Sequence, residues 1–116
     1  KIMKDHYDDI NVIHYNDFGI AFNWKQNTFS TKNKIQLVFK DTGILLSKSE
    51  VLSFKSDIEY VMCNECNCKE KCKNLIPSPC EYISFSMSDS ELISLNDLLA
   101  GVCFNIELTE ILENII

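Results

Sequence analysis

The residues whose spacing carries the sharpest chemistry are the cysteines of the central segment. Cys63, Cys66, Cys68 and Cys72 follow one another as C-x2-C-x-C-x3-C, and Cys80 stands eight residues further on. Four thiols within ten residues are not a core-packing pattern, because a core is filled by large apolar side chains rather than by small groups crowded in sequence. They are the pattern of a metal or redox site. Zinc is the first reading. C-x2-C is a zinc-knuckle spacing, Cys68 or Cys72 would complete a tetrahedral set, and Cys80 is the alternative fourth ligand. Metal would order a segment that has no apolar core of its own. Lys69, Lys71 and Lys73 lie beside the thiols and would offset the excess negative charge of four thiolates around zinc. An iron–sulfur cluster is the second reading: the run is one residue shorter than the ferredoxin spacing C-x2-C-x2-C-x3-C, and no proline follows Cys72. Free redox thiols activated by the neighbouring lysines, or disulfides of an exported domain, are the remaining readings. Disulfides among such closely spaced cysteines would close only short loops and constrain the unfolded chain little.

The other chemistry-bearing residues are less specific. Cys103 sits in an apolar stretch and reads as a small buried hydrophobe. His6 lies in a polar lead-in and reads as solvated; His14, beside a strand end, is within reach of a metal without any spacing that demands one. No Ser/His/Asp grouping or H-E-x-x-H motif is present, and three glycines in the whole chain leave no phosphate-cradling glycine loop. Asp57, Glu59, Glu107, Glu110 and Glu113 fall on polar helix faces, as solvated charges do, so no catalytic residues are expected. Trp24, Phe18 and Phe22 read as core rather than as a binding platform.

The chain that must position these groups has 116 residues, enough for one domain with a single core. Its formal charge is −6, the wrong sign for a nucleic-acid surface or an anionic membrane. No uninterrupted apolar run reaches the length of a membrane span, so no span is expected. The cysteine pattern leads us to expect a cytoplasmic protein; the first residue is Lys1 rather than Met, which leaves export after removal of a signal peptide as the alternative.

Along the chain, residues 1–9 read as a polar, flexible lead-in. Ile10 to Tyr15 reads as a strand ending at the turn residues Asn16-Asp17. Phe18 to Trp24 is a second strand, with Phe18, Ile20, Phe22 and Trp24 on one face and Gly19 and Ala21 on the other. Lys25 to Asn33 is a loop. Ile35, Leu37 and Phe39 alternate as a half-buried strand, and Asp41-Thr42-Gly43 reads as a hairpin turn with Gly43 at positive φ, followed by the strand Ile44 to Leu46. Ser47 and Glu50 form a capping box before a helix whose apolar stripe is Val51, Phe54, Ile58 and Val61. Beyond the cysteines, Pro77 and Pro79 predict an extended linker, and Tyr82 to Met87 a strand. Ser88 and Glu91 form a second capping box; the helix it opens carries Leu92, Leu95, Leu98 and Leu99 and is expected to stop at Gly101. A last helix, capped by Asn105 or Thr109, carries Leu108, Ile111, Leu112, Ile115 and Ile116, and Val102 to Ile106 reads as a short strand or as part of it.

The two caps match at a constant offset: Ser47, Ser49, Glu50 and Ser53 recur as Ser88, Ser90, Glu91 and Ser94. This predicts an internal duplication of a strand–helix unit, joined by the cysteine knuckle. The run Gly43-Ile44-Leu45-Leu46-Ser47 leading to Glu50 and Phe54, together with Ile76-Pro77-Ser78-Pro79, Glu91-Leu92 and Leu98-Leu99, resembles a small uncharacterised family of Bacteroidota proteins classed as a domain of unknown function. The resemblance covers about residues 18 to 100 and implies no activity. That family has paired cysteines before its first strand, where this chain carries His6 and His14.

The fold expected from these readings is α+β: an antiparallel sheet of about five strands with two or three helices on one face. One domain spans 1–116, with halves at 10–62 and 81–116 around a knuckle at 63–80. The expected function is that of a small non-enzymatic, zinc-stabilised interaction or regulatory module acting on an unknown protein partner, with homodimerisation through an edge strand or the C-terminal helix as a second mode.

Overall fold

A computed structural model of the chain describes residues 9–25, 33–63, 74–79 and 84–115. The protein is α+β. Strands β1 (Ile10–Tyr15), β2 (Gly19–Trp24), β3 (Lys34–Phe39) and β4 (Thr42–Ser47) form an antiparallel meander in the order β1-β2-β3-β4. Helix α1 (Lys48–Cys63) follows directly. Strands β5 (Asn74–Pro77) and β6 (Ser84–Met87) make a separate antiparallel pair, and helix α2 (Asp89–Ile115) completes the described chain. Among the described residues the six strands are thus divided four and two between two sheets rather than joined in one sheet of about five. The Pro77 segment read as a linker is strand β5, with Pro77 at its last position, opposite Ser84.

One core joins the two sheets and both helices. Ile35, Leu37 and Phe39 alternate inward from β3, and Leu46 joins them from β4. Val51, Phe54 and Ile58 of α1 and Leu92, Leu95, Leu98, Leu99 and Val102 of α2 close over that face, as their helical spacing predicts. Ile76 and Met87 bring the small sheet into the same core, and Phe85 meets Phe39 edge-on with ring centroids 5.4 Å apart.

Register decides which side of β2 meets α2, and it is the small side. Gly19 stands opposite Phe39 and Ala21 opposite Leu37, on the inner face. A Cβ at Gly19 would overlap the backbone carbonyl oxygen of Val38 on β3 and lie 2.9 Å from Phe39 Cβ, with Leu98 Cδ2 of α2 at 3.2 Å, so glycine there is required first by the close approach of β3 and then by the helix. Ile20, Phe22 and Trp24 point to the opposite face. Phe22 is buried there in a T-shaped contact with Trp24, with centroids 5.1 Å apart, outside the main cluster. Phe18 belongs to the turn before β2 and stacks on Phe39.

Two turn and helix-end expectations are corrected. The β3–β4 hairpin pairs Phe39 with Thr42, which leaves Lys40-Asp41 as its loop; Lys40 takes the positive φ, 52°, and Gly43 lies inside β4. The helix opened at Ser88 does not stop at Gly101 and is not recapped at Asn105 or Thr109: α2 runs unbroken for 27 residues. Gly101 serves packing. A Cβ there would overlap the imidazole of His14, which lies against the helix from β1.

Because α2 is one helix rather than two, it is long and apolar enough to cross a membrane by length and composition. That corrects the expectation that no stretch qualifies. The same helix spends the side carrying Leu92, Leu95, Leu99 and Ile106 on the core, as a core helix of a folded domain does.

Candidate functional site

Of the five candidate ligands, the structure describes Cys63. It is exposed on the last turn of α1, where the chain leaves the helix for the cysteine segment. Cys66, Cys68, Cys72 and Cys80 lie outside the described residues, as do His6 and the three lysines beside the thiols. Among the described residues no group of three or more His, Cys, Asp or Glu is placed to hold a metal ion. His14 is half-buried against Gly101, committed to the β1–α2 contact.

Cys103 is buried on α2, as its apolar surroundings predict. Burial pushes its thiol pKa up; Lys55 pulls it back, and Glu107 and Glu59 push it further up. A thiol held protonated in this way is a poor nucleophile and a poor ligand. Lys55 also pairs with Glu59 one turn along α1.

Two surfaces emerge: the C-terminal helix, already expected as one route to homodimerisation, and a cleft that no local pattern announces. The first is the exposed side of the C-terminal half of α2. Phe104, Leu108, Ile111, Leu112 and Ile115 are all exposed there, Phe104 at 67% and Ile115 at 73%. Their signal was present in the periodicity, but the expected break at Gly101 hid that the stripe is carried by a helix anchored in the core. The second is a cleft where the open end of β1, β2 and β3 meets the C-terminal half of α2, with a volume of about 320 Å³. Its residues come from β1, β2, β3, both helices and the ends of the 25–33 loop, so no local pattern gathers them.

The β1–β2 turn beside α2 is held by one side chain. Asn16 Oδ1 accepts from the N–H groups of Phe18 and Gly19 at 2.9 and 3.1 Å, and its Nδ2 donates to Ser94 O on α2 at 2.9 Å. This fixes the helix against the edge hairpin, and with it the side of α2 that remains outside.

Fold and surfaces together define a small α+β protein: an antiparallel meander, a second strand pair and two helices, the longer with an exposed apolar side. Comparison with protein-family models, curated proteins and solved structures finds no match.

Proposed function

We propose that this chain is a small non-enzymatic interaction module whose docking surface is the C-terminal half of α2, and whose central segment holds zinc through Cys63, Cys66, Cys68 and Cys72, with Cys80 as the alternative ligand. The observation that carries the interaction reading is the exposed stripe. Phe104, Leu108, Ile111 and Ile115 recur at spacings of four, three and four, the spacing of a helix–helix seam. Single exposed apolar residues need no explanation, but a continuous row of them on an anchored helix does. The partner that fits is a second copy of the chain. Glu110 and Glu113 fall away from the seam, so two such stripes meet without setting those carboxylates face to face.

The zinc reading rests on the cysteine spacing. An internal duplication is supported by the two caps, which make the same three contacts: each Glu side chain accepts from the Ser N–H, at 2.8 and 2.9 Å; each Ser Oγ accepts from the Glu N–H, at 3.2 Å in both; and each cap serine meets the serine two residues on.

The test is native mass spectrometry over a concentration series, on protein purified anaerobically and without nickel affinity. One zinc per chain and a dimer that a Leu108→Glu, Ile111→Glu variant abolishes, with the fold unchanged, are expected. Absence of zinc with all cysteines reduced would remove the metal reading. A monomer at every concentration would remove the second copy as the partner.

A further inference from the structure

The cleft at the open end of the sheet is chemically unlike the rest of this acidic protein. Its floor is apolar: Ile35 and Ile106 are buried, and Ile13 is half-buried beside them. Asn11, Asn23, Asn33 and Asn105 line it as well. Asn23 is held in place by its own donor, Nδ2 to Lys34 O at 2.9 Å. Lys25, Lys34 and Lys48 also line the cleft, Lys25 and Lys48 at its exposed edge. No Asp or Glu among the described residues lines it, although Asp and Glu make up 17 residues of the chain. Three lysines around one opening, with no carboxylate among its described lining residues, favour a local positive potential against a net charge of −6. The same opening sets asparagines, whose amides both donate and accept, over a small apolar floor.

We propose that this cleft binds a small hydroxylated phosphate ester, of the size of a sugar phosphate. The phosphate meets the lysines at the rim, as point charges suited to a compact polyanion, and the hydroxyl groups pair with the asparagine amides. The volume of about 320 Å³ suits a ligand of that size. This reading is independent of the helix stripe and of the cysteines, since Asn11, Asn23, Lys25, Lys34 and Lys48 belong to neither.

The experiment is a titration of the full chain followed by the side-chain amide signals in ¹H–¹⁵N spectra, with glucose 6-phosphate, glucose and inorganic phosphate as separate probes. Glucose 6-phosphate is expected to move the amide signals of Asn11, Asn23 and Asn105, and to bind at least about tenfold more tightly than either glucose or phosphate, since each charge-assisted contact contributes about that factor or more. Lys34→Gln with Lys48→Gln is expected to weaken binding by about tenfold or more at an unchanged melting temperature, and added salt to weaken it further. Binding of glucose as tight as that of its phosphate would overturn the role of the lysines. Inorganic phosphate binding as tightly as the ester would overturn the role of the amides. Unmoved amide signals at millimolar glucose 6-phosphate would overturn the site.

Discussion

At the scale of single residues, the glycines show how far identity alone goes. All three lie in elements and none has positive φ. Gly19 and Gly101 are there for what a side chain would strike: the Val38 carbonyl and Phe39 of β3 in one case, the His14 ring in the other. Gly101 also sits inside a helix, where glycine costs about 1 kcal/mol relative to alanine. The two effects oppose each other, and crowding of a packed ring, about 1–3 kcal/mol, outweighs the propensity gain. Gly101→Ala is therefore expected to destabilise the wild-type protein, yet to stabilise a His14→Ala background by up to about 1 kcal/mol. Urea unfolding of the four proteins of that cycle measures it. The same sign in both backgrounds would show that the ring is not what excludes the side chain.

Capping is the lesson at the scale of elements. Both helices begin where a Ser-x-Ser-Glu box sits, and both boxes close with the same reciprocal bonds. Helix starts are set by local hydrogen-bond chemistry, so they are legible in sequence. Ser47→Ala and Ser88→Ala are each expected to cost about 1 kcal/mol, and the double variant about the sum, because the caps share no contact. Denaturant midpoints of the three variants check this; an uncapped helix with unchanged stability would show that tertiary packing alone fixes that end. The second cap is also braced from outside, by Lys40 Nζ at 3.1 Å from Glu91 Oε2. That pair is partly exposed and contributes little by itself. Helix ends were far less legible. Gly101 resembles a stop signal, but the core contacts of Leu98, Leu99, Val102 and Ile106 on either side of it carry α2 through.

For the whole molecule, the pH dependence of stability follows from where Cys103 is placed. Its folded-state pKa is raised above the ordinary thiol value of 9.0. Below that value the thiol is protonated in both the folded and the unfolded chain, and its contribution is fully present. As pH rises past it, the unfolded chain loses the proton first, so stability falls until the folded-state pKa is passed. Wild type is expected to lose more stability than Cys103→Ala between pH 8 and pH 10. Equal losses would mean that Cys103 is not held protonated by burial. The arrangement that buries this thiol joins two sheets and two helices around one core, and that assembly was only partly legible. The α+β class, the β3 alternation and the inward stripes of both helices were readable from period and burial. The division of the strands into four and two was not, because pairing partners are chosen across the sequence rather than within it.

The sequence by itself determined what local physics determines: both helix starts, the strand β1, the turn at Asn16 and the inward faces of β3, α1 and α2. Each depends on side chains within a few residues of one another, through hydrogen bonds to adjacent backbone or through the period of the element. Tertiary structure alone decided the rest. It put the small side of β2 toward α2, gave the positive φ of the β3–β4 turn to Lys40, and continued α2 past Gly101. It also gathered three lysines and four asparagines from separate parts of the chain around one cleft. These outcomes depend on register and on packing between distant segments, where a small free-energy difference between alternative contacts selects one of them and no short stretch carries the deciding term.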